Sequence, residues 1–288
     1  MAASSAGGSV LETADCAKGM GGLAEGEADL AIVDPPYGIG VAKQGWDDAT
    51  LDHLHIARTW LGPCVRALRP GGALLLYGSP CKTTLSRLLI HLVDDLGMRL
   101  VQKCAWVYTQ GGDSRLSTMR EYAVRHEELV WFEKPCGSVG KRTFNAAEAV
   151  EHYTDSDRAV ALAKGKGRVT EDSLRKGRPP RSFIDIPREN SRSKERQHGS
   201  HPCMKPLALC ERLIKVHSDR GDTVLVPFAG SGSEAICSAK LGRRCIAYEI
   251  DPVYAALAEK RMRSHSVAHE FEFVDAQGRK RSREGGGQ

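Results

Sequence analysis

The chain has 288 residues, 41% of them hydrophobic and 27% charged, and a formal net charge of +5. It is long enough to bury a full core without disulfides or metals, and its composition is neither collagen-like nor that of a wholly disordered chain. No stretch approaches the ~18 consecutive apolar residues of a membrane span, and MAASSAGGSV lacks the basic region and apolar core of a secretory signal.

In chain order, Leu30 to Val33 is a short apolar run stopped by Asp34-Pro35-Pro36, which predicts a buried parallel strand. Residues 51–69 carry apolar side chains at helical spacing and end at Pro70-Gly71-Gly72, a helix stop. A strand is predicted at Ala73 to Tyr77, a helix at Lys82 to Leu96, and strands at 100–108 and 128–132. A helix at 205–218 precedes a strand at Thr223 to Val226, a glycine-rich turn and a helix from about Ser233 to Leu241. A strand at Arg244 to Tyr248, a helix from Pro252 to about Ser264 and a strand at Glu270 to Val274 complete the run. This alternation predicts an α/β fold with a mainly parallel, seven-stranded sheet and helices on both faces.

Residues 136–200 break the pattern. They are rich in Gly, Arg, Ser and Pro, with a helix expected only around 146–163 and a mobile or partner-ordered segment from Lys164 onward. Residues 164–200 carry a local charge of +6 and residues 278–288 carry +3, which leaves −4 for the rest of the +5 total. The nine Cys are odd in number and form no C-x-x-C pair. Cys64, Cys104, Cys210, Cys237 and Cys245 lie in apolar surroundings and read as reduced, buried residues of a cytosolic protein. His53 and His55 would point to different helix faces, so no metal site is expected.

Two motifs carry chemistry. Val226-Pro227-Phe228-Ala229-Gly230-Ser231-Gly232-Ser233 joins a strand to a helix, and Glu249 ends the next strand sixteen residues on. Glycines allow the sharp turn and close approach to a ligand, and an acid at that place accepts from ribose hydroxyls, so a nucleoside-containing cofactor is expected. A dehydrogenase stays open, because Ala235 fits the last position of G-x-G-x-x-G/A, and is disfavoured by the missing third glycine. Asp34-Pro35-Pro36-Tyr37 also follows a strand end. Its prolines fix the backbone and remove donors, which leaves carbonyls and a carboxylate as rigid acceptors beside a flat ring. A planar base with an exocyclic amino group fits such a site.

The chain here resembles the β-class DNA amino-methyltransferases, in which D-P-P-Y precedes the F-x-G-x-G cofactor turn in a circularly permuted order. Further matching stretches are Ala14-Asp15-Cys16, Leu68 to Tyr77, Trp106 with His126 to Lys134, and His201-Pro202-Cys203-Met204-Lys205-Pro206. Ala14, Cys203 and Met204 depart from the family's usual Gly, Thr and Gln. The resemblance covers most of 11–265. It implies a Rossmann-like fold that uses S-adenosyl-L-methionine, with a catalytic half at 11–135, a partly flexible target-recognition insertion at 136–200, a cofactor half at 201–275 and a basic tail at 276–288.

By the same resemblance, Asp34, Pro35, Pro36 and Tyr37 are catalytic. Asp15, Cys16, Asp34, His201, Lys205, Phe228, Ala229, Gly230, Ser231, Gly232, Ser233 and Glu249 serve the cofactor. Double-stranded DNA is the expected partner, with Arg175, Lys176, Arg178, Arg181, Arg188 and Arg192 meeting it. The implied reaction is N6 methylation of an extruded adenine, since Asp34 rather than Ser heads the motif. N4 methylation of cytosine and a catalytically idle DNA-binding regulator remain the alternatives. A cytoplasmic, nucleoid-associated location is expected. A homodimer and a restriction endonuclease partner are left open.

Overall fold

The computed structural model describes residues 8–39, 47, 50, 52–108, 122–137, 142–165, 170–190, 193–199 and 201–281. The first part of the chain runs β1 (Ser9–Thr13), α1 (Cys16–Gly21), β2 (Ala28–Val33), α2 (His53–Ala67), β3 (Leu68–Gly78), α3 (Thr83–Ile90), β4 (Arg99–Val107) and β5 (His126–Glu133). The insertion contributes α4 (Asp155–Lys164), α5 (Glu171–Arg175), β6 (Phe183–Asp185) and a 3-10 turn at Lys194–His198. The last part runs α6 (Leu207–His217), β7 (Thr223–Val226), α7 (Ser233–Lys240), β8 (Arg244–Glu249), α8 (Pro252–Ser264), β9 (Phe271–Val274) and β10 (Lys280–Arg281).

Among the described residues the strands form one sheet in the order β10-β9-β1-β8-β7-β2-β3-β5-β4-β6. From β9 to β3 every neighbour pair is parallel; β5 and β10 run against their neighbours. The expected count of seven strands is therefore short by three. β1 escapes pattern reading because two of its three inward residues, Ser9 and Thr13, are polar. β6 has three residues and β10 has two. The helix expected at 146–163 is instead a 3-10 turn at Ala146–Ala149 followed by α4. The one expected at 82–96 passes from α3 into a π turn at His91–Asp95.

The strand period divides the core into two layers. Leu30 and Ile32 of β2 pack with Leu213 of α6, Ile236 of α7 and Met262 of α8. Ala31 and Val33 pack with Met20 of α1, Trp60 and Leu61 of α2 and Leu88 of α3. Several helix starts are capped locally: the Asp52 carboxylate accepts from the Leu54 and His55 N–H groups of α2, and Asp251 caps α8 ahead of Pro252.

β2 and β7 are adjacent and parallel, but the chain leaves β2 toward β3 on one side and β7 toward β8 on the other. Such a switch point opens a crevice at the carboxyl ends of the strands, where open α/β sheets bind ligands. Asp29 fastens the other end, with one oxygen 2.5 Å from Arg69 Nε and the second accepting from the Thr223 N–H at 2.8 Å.

Candidate active site

A cavity of about 660 Å³ occupies that crevice. Its walls include Asp15, Cys16, Asp34, Pro35, Pro36, Tyr37, His201, Lys205, Phe228, Ala229, Gly230, Ser231 and Glu249. Two residues expected at the cofactor lie behind that wall. Gly232, at φ +78°, presses against Ala258 and Met262 of α8, where a Cβ would meet Ala258 at 2.9 Å. Ser233 donates through Oγ to the Lys205 carbonyl at 2.8 Å.

On the β2 side the polar groups close a ring. Lys205 Nζ lies 2.7 Å from Asp34 Oδ2 and 3.1 Å from Glu127 Oε2. The Tyr37 hydroxyl stands 2.6 Å from Asp34 Oδ1 and 3.1 Å from Glu127 Oε2. The ammonium also faces the rings of Tyr77, Trp106 and Tyr37, at 4.7, 5.7 and 5.8 Å from their centroids. Burial works against the Lys205 charge, but Asp34 and Glu127 outweigh it and raise its pKa above the usual lysine range. Burial and the Asp34 carboxylate keep the Tyr37 phenol protonated well beyond its ordinary range. Past the tetrapeptide, the Gly38 N–H donates to Asp47 Oδ1 at 2.6 Å, which ties down the loop exit.

On the β7 side, Glu249 Oε2 accepts from the Gly230 N–H at 2.7 Å and Oε1 from the Asp251 N–H at 2.9 Å. Burial raises its carboxyl above the usual range despite those donors. Asp15 caps α1 through the Ala17 N–H at 2.8 Å. Phe228 meets Trp60 edge to face, with centroids 5.0 Å apart. His201 Nδ1 accepts from the Cys203 N–H at 3.2 Å, and its ring lies edge-on to Tyr254. Burial and then the Lys205 charge lower the His201 pKa to about 4. Burial pushes the Cys16 thiol up to about 12, which removes it as a nucleophile.

The expected DNA-contacting side chains divide into groups. Arg175 and Lys176 are exposed at the end of α5, with Lys176 Nζ 3.2 Å from Asp172. Arg178 and Arg181 both donate through Nε to Glu151 Oε2, at 3.0 and 2.6 Å, and Arg212 reaches Glu151 Oε1 at 3.4 Å. Arg181 also covers the Phe183 ring at 3.9 Å. These two arginines thus help hold the insertion together. Arg188 sits on the cavity wall, 4.6 Å over the Tyr108 ring. Arg192 lies outside the described residues. In the basic tail, Lys280 pairs with Glu272 at 2.8 Å and Arg279 with Asp275 at 2.8 Å.

Three charged residues of the site region escaped reading as such. Glu127 lies in β5 inside a stretch that resembles the family; an acid at an inward position of an apolar strand was its signal. Glu234, in the first turn of α7, is buried on the cavity wall. Among the described residues its Oε1 has no hydrogen-bond partner, and burial raises its pKa. Arg261 of α8 has 0% exposure and donates to the Ser231 carbonyl at 2.6 Å and to Glu195 Oε2 at 2.6 Å. Nothing in the helix sequence of α8 distinguishes it from a surface cation.

The known proteins similar to this chain agree with that geometry. A family model described as DNA methylase matches residues 28–260. The chain is 31% identical over 261 residues to the type II methyltransferase M.HpaI of Haemophilus parainfluenzae, a match covering 90% of this chain and 74% of that one. It is 29% identical over 253 residues to the DNA adenine methyltransferase YhdJ of Escherichia coli (strain K12), covering 85% and 80% of the two chains. Among solved structures, the cytosine-N4-specific PvuII DNA methyltransferase superposes with a TM-score of 0.64 at 15% identity over 95% of this chain and 99% of that one. TTHA0409 of Thermus thermophilus, solved complexed with S-adenosyl-L-methionine, superposes with a TM-score of 0.60 at 20% identity over 93% and 100%. With Asp34-Pro35-Pro36-Tyr37 and the Phe228 to Ser231 turn lining one switch-point cavity, and the matched region spanning both, the chain belongs to the β-class, N6/N4-type family of DNA amino-methyltransferases.

Proposed function

We propose that the protein is a site-specific DNA adenine methyltransferase acting on the N6 amino group of a base extruded from the duplex. The observation that carries this reading is the placement of Asp34 and Pro35 at the carboxyl end of β2, on the wall of the cavity that the β7 turn also lines. The amino group of an aromatic base is a poor nucleophile because its lone pair is delocalised into the ring. Acceptors fixed on its two N–H bonds favour localisation of that pair, and a carboxylate bonded through Oδ1 and Oδ2 to Tyr37 and Lys205 still has lone pairs free. Tyr37 supplies the face on which the base stacks. Extrusion is required because the nitrogen is out of reach inside a duplex.

The cavity suits S-adenosyl-L-methionine. Its volume falls within the ~300–1,000 Å³ of small-molecule sites. Gly230, at φ +52°, brings its backbone to the wall where a Cβ would crowd the His201 ring at 3.3 Å. Asp15 and Glu249 would accept from the hydroxyl and amino groups of the nucleoside and amino acid ends, and Phe228 with Trp60 would pack against its apolar parts. Bound there, the cofactor supplies a methyl group made electrophilic by its sulfonium. Arg175 and Lys176 face solvent and would meet phosphates, while Arg188 stands at the cavity edge near the entering base.

Incubation with methyl-labelled cofactor and DNA, followed by digestion to nucleosides, tests the reading. Label in N6-methyladenine is expected. Label in N4-methylcytosine instead would select the alternative favoured by the likeness to the PvuII enzyme. Label in no nucleoside would leave an idle DNA-binding regulator. Asp34→Ala should lower transfer by at least about 10²-fold, far more than it lowers cofactor affinity.

A further inference from the structure

The ring at the end of β2 holds one more charge than an acceptor role for Asp34 requires. Asp34 and Lys205 are paired at 2.7 Å and cancel formally. Glu127, 9% exposed, adds a second carboxylate to the same ammonium at 3.1 Å, so the cluster carries a formal charge of −1. Tyr37 bridges both acids with a hydroxyl and adds no charge. Around the cluster, His201 is neutral at pH 7 and burial favours the neutral form of Glu234. Arg188 is partly solvated over Tyr108 at the edge of the cavity. In a water-poor site a unit charge within a few ångströms acts far more strongly than in bulk water.

We propose that Glu127 is the charge-setting residue of the site: it makes the base side anionic and thereby stabilises the positive charge that arrives on the amino nitrogen. The proposal rests on the amino-methyl transfer reading above. In that reaction the nitrogen lone pair forms the new N–C bond and the pair of the broken S–C bond stays on sulfur. The positive charge passes to nitrogen, and the amino proton leaves to the carboxylates and then to water. A neutral Asp34–Lys205 pair alone would leave that moving charge with little net stabilisation.

Glu127→Gln keeps the size of the side chain and an acceptor oxygen but removes the charge. It should lower kcat by roughly 10²-fold. Binding gives a second readout, with sinefungin, which carries an amine where the methyl group sits, and the neutral product S-adenosylhomocysteine. Wild type should favour sinefungin; Glu127→Gln should lose about 10-fold of that preference and bind S-adenosylhomocysteine nearly unchanged. In Glu127→Gln/Lys205→Met the cluster returns to −1, so kcat and the sinefungin preference should recover relative to the single variant. If Glu127 merely anchors Lys205, the double variant is no better than the single one and the analogue preference does not move; either result overturns the proposal. Should Glu127→Gln fail to fold by circular dichroism, Lys205→Met decides. It should keep or increase the sinefungin preference, and a decrease overturns the idea. A wild-type protein that methylates no nucleoside would sink the reaction assigned above, while the analogue preference would still judge Glu127 by itself.

Discussion

His217 is a buried imidazole whose Nδ1 has no hydrogen-bond partner among the described residues, packed edge-on to Trp131 at 4.6 Å. Burial lowers its pKa to about 3, and His201 is lowered to about 4 by burial and the Lys205 charge. Both are neutral in the native state, whereas the unfolded chain protonates them below its ordinary value of about 6.5. Between pH 6.5 and 4 the unfolded state therefore binds up to two more protons. The stability these residues confer is complete above 6.5 and falls with pH by up to about 2.7 kcal/mol per unit. Urea midpoints at pH 7.5, 5.5 and 4.5 should trace this loss, and His217→Leu should remove about one proton from the slope; an unchanged slope would contradict it. At this scale the sequence reveals a residue only when its partners are near in the chain. Asp34 and Tyr37 sit in one tetrapeptide, and Gly230 with Glu249 in one strand-turn-helix-strand unit. The ring they serve is not local: Tyr37 reaches Glu127 across 90 residues and Lys205 reaches it across 78.

Single helices bind the site to the insertion. Arg261 of α8 holds the Ser231 carbonyl of the glycine-rich turn after β7 and the Glu195 carboxylate of the 194–198 turn at once, and His265 Nε2 adds a contact to Glu195 at 3.1 Å. Arg261→Met removes a buried donor from the Ser231 carbonyl and leaves Glu195 with His265 alone among these contacts. It should cost about 3 kcal/mol in a urea melt and weaken cofactor binding by about 10-fold or more with kcat little changed; a purely structural role would leave the cofactor affinity of the folded fraction intact. From Lys164 onward the insertion was legible only as charge. α5 is a five-residue helix with a Thr170–Ser173 capping box and one buried side chain, Leu174, too short for a periodic signal. The insertion's solvent-facing cations and those held on Glu151 should behave differently. Arg175→Ala and Lys176→Ala should each lower the salt slope of DNA binding by about 0.9 and leave stability unchanged. Arg178→Ala and Arg181→Ala expose Glu151 to loss of its partners and should lower the melting temperature as well. If all four variants change only the salt slope, the Glu151 cluster does not support the insertion.

Over the whole molecule, the apolar runs revealed the parallel core and the helices on both faces, because each of those strands carries its own hydrophobic signal. The position of β1 was hidden, since a strand with Ser9 and Thr13 inward is recognised only by its neighbours. Those neighbours are β8 and β9, and β2 in turn relies on β7. Residues 8–135 expressed alone should therefore lack a stable tertiary fold, read as a broad urea transition and rapid proteolysis; a cooperative, protease-resistant fragment would contradict this.

The same pairing sets a timetable for synthesis. Val10 waits for Ile246 and Leu11 for Phe273, each well over 200 residues downstream. At ~5–20 residues per second the ribosome needs roughly 10–50 s to deliver them. Throughout that interval the first strand and one edge of the nascent sheet are without partners, so the newborn chain depends on being shielded from its neighbours until its last fifth emerges.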